Sequence, residues 1–584
     1  MNKTALVFML IPVFLFSCTS EKADLILMNG EICTMEDEQT RATAVVIKGN
    51  KIVDVLDNDS DIKKHTGKDT RIIDLNKQFV VPGFIDGHVH FNNAGALIND
   101  ANLLTISDKE GLRKEIIRVV DILDDGEWIT GGLWGAYEQW ELGASRSRSE
   151  KIERWKPDRW MIDDITPANP CFLYSYDRQL FLANSLALER AGLTDKILPG
   201  MEIGSNGIPS GLILSGSPAV EMINTVIKPK SHERLMDENR SALAKLRECG
   251  IVEIQDIVHP EQTERFIELQ ERGELTCRVW IRPDLSRCRE LKDQGFTMGL
   301  NPRTKQKDPW LRYGALKGYV DGIMGDHSAL FFEPYDDQPD NYGHYREHTS
   351  DDPVYMVGNM DKMYQYIIIA KEAGFVTNIH AIGDKGIALL LDIYERLMVE
   401  TGHDLEGYRV IHAQVIRQED FPRFRKLNVI AEVNPYHLSD DMRWMEERIG
   451  YDRCKGAYAF KSLLDNGATL SFGSDWPGTS VAEYHVHPKY LIHAAVNRTT
   501  IKGEPEGGWF PEQKISVYEA LKAYTINNAY AAFEADVRGS IKPGKLADIT
   551  VCDLNLLTTD PENILDMNVV MTIVDGVIVY EKEK

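Results

Sequence analysis

Residues 81 to 93 read VPGFIDGHVHFNN, an apolar run that closes on His88 and His90. In an extended strand alternate side chains share a face, so one metal ion can take both imidazoles. Other apolar runs stop at His380 in VTNIHAIGD, at His412 in RVIHAQ and at Asp475 in LSFGSDWP, and Lys317 lies within GALKGYVDG. Histidine nitrogens and a carboxylate oxygen are donors for zinc or a similar divalent ion. Such an ion makes water acidic enough to attack near neutral pH, and Asp475 is the candidate catalytic carboxylate that accepts its proton. Plainer readings exist for each residue: H-V-H triplets arise by chance, histidines pack in cores, and Lys317 can be an ammonium paired with a carboxylate. A second triplet, His485-Val486-His487, has no apolar strand before it and runs into Pro488, so it is read as a loop feature.

These residues are far apart in the chain, and an architecture that collects strand ends must bring them together. Eight strand-like runs are FVVPGFIDGHVH, CFLYSYD, IVEIQDIVH, LRYGALKGYVDG, FVTNIH, YRVIHAQV, VIAEVNPYH and ATLSFGSDW. They alternate with helical stretches such as DKMYQYIIIAKEAG, which predicts an α/β chain folded as a (β/α)8 TIM barrel. That fold puts its chemistry at the C-terminal strand ends. Residues 92–170, with Trp128, Trp134 and Trp140, and residues 178–245 exceed ordinary βα connections and are expected as insertions at the barrel mouth. Short strands with NG and GN turns before Asp74, and ADITVCDL and VVMTIVDGVIVYEK near the end, predict a small β-sandwich domain built from both chain ends. The expected division is residues 18–79 and 538–584 for that domain and 80–537 for the barrel, after a leader at 1–17.

The motifs PGFIDGHVH, WITGGLW, ANSLAL, LKGYVDG, HAIGD, IHAQV, GSDWP and GSIKPGKLADITV, in that order, resemble the amidohydrolase superfamily, in its YtcJ-like branch that includes N-substituted formamide deformylase. The resemblance spans nearly the whole chain after the leader. It implies a metal-dependent hydrolase of C–N bonds other than peptide bonds, with two divalent ions, zinc or in its place iron, manganese or nickel. By the resemblance His88, His90 and Asp475 hold one metal, His380 and His412 the other, and Lys317 bridges both as a carboxylated side chain. Candidate substrate contacts are Trp134, Asp177, Asp321 and His437. The chain departs from the branch pattern at Asp177-Arg178-Gln179, where D-G-H is usual, at Ser215, where glutamate is usual, and at Ile411-His412-Ala413, where E-H-A is usual. The first two changes fall near the expected substrate pocket.

The N-terminus places Lys3 before an apolar stretch from Ala5 to Phe16, too short to span a bilayer and suited to a signal-peptide core. Its ending LFSC resembles a lipobox, so Cys18 is the expected lipidation site and the expected location is exported and lipid-anchored to a bacterial membrane. Of eight cysteines none forms a C-x-x-C pair, and those beyond Cys18 are expected mostly as buried free thiols. A formal net charge of -24 argues against nucleic acid as a partner. Expected partners are a small-molecule substrate and, through the lipid, a membrane, with a homodimer left open. Competing readings are a deaminase or isomerase on the same scaffold, and a membrane-tethered binding protein without catalysis.

Overall fold

The computed structural model describes residues 22–38, 41–103, 106–134, 155–175, 178–345, 360–402, 404–478 and 483–583. Short runs rich in Val, Ile and Leu form the central parallel strands, each bounded by glycine, proline or polar residues. In chain order they are Phe84–Val89, Ile251–Ile257, Arg278–Arg282, the interrupted pair Leu311–Tyr313 and Leu316–Tyr319, then Thr377–Ala381, Arg409–His412, Ile430–Val433 and Leu470–Phe472. The first three pair in parallel and end on Leu311–Tyr313; the strands from Leu316–Tyr319 onward pair in chain order.

Single parallel bridges, Asp284 to Lys317 and Val89 to Trp476, join the two sheets at their two seams. The result is barrel-like, with ladders interrupted at both seams. At the second seam the backbones come very close. A Cβ on Gly87 would lie 2.7 Å from the Phe472 carbonyl oxygen, and one on Gly473 would lie 2.5 Å from the His88 Cβ. Only glycine permits that approach. Asp475 N–H then donates to the His88 carbonyl at 2.8 Å, and His90 N–H to the Trp476 carbonyl at 2.7 Å.

The expected strand in CFLYSYD is real, but it belongs elsewhere. Phe172–Ser175 lies in a six-stranded sheet, Met201–Ile203, Pro209–Leu214, Leu180–Ala183, Phe172–Ser175, Gly131–Trp134 and Ala101–Asn102. The place it was given among the parallel strands is taken by Arg278–Arg282, which two arginines hide from an apolar-run search. Both arginines are buried against carboxylates, so their charge does not bar a central strand. The two expected insertions thus share one sheet. Lys230, which bonds Asp100 and Glu238, and Arg234, which bonds Asp100, tie its base to the helix His232–Glu248 leading into the second parallel strand.

Two further sheets come from the chain ends. One holds Lys51–Leu56, Ala44–Lys48, Leu25–Met28 and Arg71–Asp74. The other runs Val577–Glu581, Val569–Val574, Ile549–Cys552, Phe79–Pro82, Glu31–Cys33 and Arg41–Ala42, three C-terminal strands joined to three N-terminal ones where Ile549–Cys552 pairs with Phe79–Pro82. Leu27, Ile47, Val80, Ile549, Val551 and Ile573 share one buried core between them. Cys33, Cys171, Cys249, Cys277, Cys288, Cys454 and Cys552 are buried free thiols, as their apolar surroundings in the sequence lead one to expect. No helix among the described residues is long and apolar enough to cross a membrane.

Candidate metal centre

The first and eighth parallel strands place three donors around one point. His88 Nε2 and His90 Nε2 each lie 3.2 Å from Asp475 Oδ1. Nδ1 of His88 is taken up at 2.7 Å by Glu432 Oε1, leaving Nε2 as the nitrogen that faces the site. His88 is buried, whereas the His90 side chain is 33% exposed, so the site opens to solvent on the His90 side. Asp475 has φ 58° and His412 φ 71°, left-handed values that a non-glycine residue adopts at a cost and that cluster at functional sites.

A second group lies against the first. His412 Nδ1 meets Asn434 Oδ1 at 2.7 Å, and Asn434 Nδ2 donates to the Gly473 carbonyl at 3.0 Å, which fixes the amide and directs His412 Nε2 inward. The His437 ring stacks near His412 with centroids 6.3 Å apart, and its Nε2 is 3.8 Å from Asp475 Oδ2. Donor atoms of His88, His90 and Asp475 lie within 4.8 Å of one another, as do those of His412, His437 and Asp475. The ring centroid of His380 is 4.5 Å from that of His412; its Nε2 bonds the Gly322 carbonyl at 2.9 Å and lies 3.5 Å from Asp321 Oδ1. Lys317 is buried, its Nζ 4.8 Å above the Tyr319 ring, and its charge reaches both His90 and His412.

The electrostatics favour a cation. Burial, reinforced by the neighbouring positive groups, lowers the His90 pKa and holds that of His412 well below the usual imidazole value, so both rings are neutral donors. Burial alone would raise the Asp475 carboxyl, but His88 and His90 beside it hold it well below the ordinary range, so it is ionised. Imidazoles around an ionised carboxylate, with the outer nitrogens of His88 and His412 bonded elsewhere, form a donor set that fits a divalent ion.

Other expected site residues fall differently. Asp321, expected to touch substrate, is fully buried and accepts the N–H groups of Leu330, Ile382 and Gly383, so it organises the loops behind His380. Trp134 packs inside the core of the six-stranded sheet. Asp177 and Cys18 lie outside the described residues, as does Trp140. The second histidine triplet is helical where a loop was expected. His485 lies in the short helix Glu483–Val486, edge-on to Tyr436, and His487 Nδ1 accepts the Lys489 N–H at the start of the helix Pro488–Asn497.

Sequence reasoning missed Glu432, Asn434, Arg282 and Arg409. Strand alternation offers a signal, since Glu432 and Asn434 are two residues apart at the end of VIAEVNPYH and so share a face.

A model of the amidohydrolase family matches residues 71–580. Protein LONG AFTER FAR-RED 3 of Arabidopsis thaliana is 32% identical over 559 residues, covering 91% of this chain and 88% of that protein. YtcJ of Bacillus subtilis (strain 168), named as an amidohydrolase, is 27% identical over 95% of this chain and 98% of its own length. The N-substituted formamide deformylase of Arthrobacter pascens is 23% identical, with coverage of 96% and 99%. Among solved structures, an uncharacterized metal-dependent hydrolase from Pyrococcus furiosus aligns with a TM-score of 0.68 at 25% identity, over 91% of this chain and 100% of that one.

Proposed function

The chain belongs to the amidohydrolase family, and from that premise we propose that it is a metal-dependent hydrolase cleaving an amide-type C–N bond, N-acyl or N-formyl, in a small molecule. The observation that carries this reading is the convergence of His88, His90 and Asp475, beside His412, on one solvent-reaching point. In the proposal His88, His90 and Asp475 hold one divalent ion, His380 and His412 a second, and Lys317 bridges them as a carbamate, the form in which a lysine is an anionic ligand. Such ions, zinc or in its place iron, manganese or nickel, would supply an acidified water and a polarised scissile carbonyl. Asp475 accepts the water proton, because its carboxylate is kept ionised, and returns it to the leaving amine. Oδ2 of Asp475 is the oxygen turned toward His437, while Oδ1 is the one beside His88 and His90.

The test is metal analysis of the purified protein, followed by a panel of N-acyl amines, lactams and N-formyl compounds. Stoichiometric metal with amine release from any of them supports the reading. A metal-loaded protein that instead frees ammonia from an amino-substituted ring is a deaminase, and one without bound metal is no hydrolase of this kind. An anchored, exported protein remains part of the proposal. Cys18→Ala should accumulate as unprocessed precursor, and mass spectrometry of an unmodified N-terminus at another residue would count against it.

A further inference from the structure

Beneath the candidate metal centre the strands carry a layer of buried charge that meets the ligand candidates at His88. Glu432 Oε1 meets His88 Nδ1 at 2.7 Å and accepts Arg282 Nη1 at 3.0 Å. Its Oε2 accepts Arg282 Nη2 at 2.7 Å and Arg409 Nη1 at 2.8 Å. All four side chains are essentially inaccessible to water. The arginines are themselves fixed: Arg282 Nη2 donates to Gln255 Oε1 at 3.0 Å, Arg409 Nη2 to the Ala531 carbonyl at 2.8 Å, and both stand against the Trp280 ring. A carboxylate gripped from two sides in this way has no freedom to rotate, and one of its oxygens points at the back of His88.

We propose that Glu432 is the positioning residue of the metal centre, fixing the ring plane and tautomer of His88 so that Nε2 faces Asp475, and thereby setting how tightly the first ion is held. This rests on the metal-dependent reading above and adds to it the group that determines the grip. A carboxylate behind a ligating histidine orients the ring and makes it a better donor, and loss of such a partner typically costs about 10- to 100-fold in metal affinity. The arginines give the arrangement its stiffness. Two cations around one anion leave the trio with a net charge of +1, so Glu432 is bound by more charge than it brings.

The experiment compares zinc affinity, by competition with a chromophoric chelator, and the visible absorption of the cobalt(II)-loaded protein, in the parent and in Glu432→Gln. Weakening of zinc binding by about 10- to 100-fold, with an altered cobalt band and an unchanged circular dichroism spectrum, supports the proposal. Glu432→Gln leaves two buried arginines facing no anion and can fail to fold. The double variant Glu432→Gln/Arg409→Met restores the net charge of +1 and serves as the second test. Arg409→Met alone keeps the bond from Glu432 to His88, so it should lose thermal stability while zinc affinity stays within about threefold of the parent. Parent-like zinc affinity and an unaltered cobalt band in either Glu432 variant would overturn the positioning role alone. A parent protein that takes up no zinc or cobalt would overturn the metal-dependent reading and this inference with it.

Discussion

The same parallel strands bury charge at both ends, and the two ends treat it in opposite ways. At the base, Arg278 donates to Asp548 at 2.9 and 3.1 Å and to Asp575 at 2.6 Å, and Glu253 accepts from Arg312 at 3.0 Å and Arg538 at 2.5 Å. Arg312 also bonds Glu534. Guanidiniums and carboxylates answer each other there, and because Asp548 and Asp575 belong to the terminal sheets, the cluster fastens those sheets to the barrel. At the mouth, imidazoles crowd one carboxylate with their free nitrogens turned toward it. The difference teaches how to tell a structural cluster from a chemical one. At the base each charged group faces one of opposite sign, whereas the donor set at the mouth fits something that brings positive charge.

The largest effect expected from breaking this contrast is at Asp475. Asp475→Asn keeps an oxygen for the metal but cannot take a proton, so turnover on any substrate found should fall by ~10²- to 10⁴-fold, about 3 to 5 kcal/mol. Metal content and melting temperature should change little. If metal disappears in step with activity, Asp475 is a ligand only.

At the base the same kind of substitution should act on stability alone. Glu253→Gln leaves Arg312 and Arg538 facing an uncharged amide, a loss of roughly 3 to 5 kcal/mol in denaturant unfolding, with metal content per folded molecule unchanged. An equal loss of metal would erase the distinction between the ends.

Acid should act on two kinds of buried group in different pH ranges. Burial pushes His485 down to about 3, His487 to about 3 and His493 to about 4, so these rings stay neutral in the folded chain while the unfolded chain protonates them near pH 6.5. The folded state binds fewer protons, so their contribution is complete above about pH 6.5 and is lost as pH falls from there toward 4, by up to about 1.4 kcal/mol per unit for each ring. Asp548 behaves differently. Burial alone would raise it, but Arg278 holds it below its ordinary value, so its contribution persists above about pH 4 and disappears only below that. Urea midpoints at pH 7, 5.5 and 4.5 for the parent and His493→Gln should show the early loss shrinking in the variant.

The smallest effect should come from Trp134→Phe. Among the described residues the indole N–H has no hydrogen-bond partner, so the change removes packing alone and should cost no more than about 1.5 kcal/mol with turnover unchanged. A large rise in KM would return Trp134 to the substrate pocket.

What could be read from sequence divides along the same line. The donors at the mouth were legible because each ends an apolar run, the signature of a strand delivering a polar tip. The groups that orient them were not, because Glu432, Arg282 and Arg409 lie inside strands, where charge reads as a break in the pattern. Arg278–Arg282 was lost as a strand for that reason, and Phe172–Ser175 stood in for it because an apolar run shows that a strand exists without showing which sheet it joins. His437 was noticed, but its approach to Asp475 depends on the turn into the helix Pro435–Asp441, which no periodicity encodes.

The terminal sheet joined from both chain ends bears on how the chain acquires its shape. Phe79–Pro82 lies between Glu31–Cys33 and Ile549–Cys552, so a strand made early waits for a partner made some 470 residues later. Until Ile549–Cys552 is made, Phe79–Pro82, with Val80 in it, is an apolar sheet edge with nothing beside it, the kind of surface that pairs with the wrong neighbour. The pairing is strongly non-local, which places completion of the terminal sheet late and makes it slow. The strand Ile549–Cys552 acts as the latch on that sheet, and a nascent chain stalled before it would keep the edge open to aggregation however well its barrel had formed.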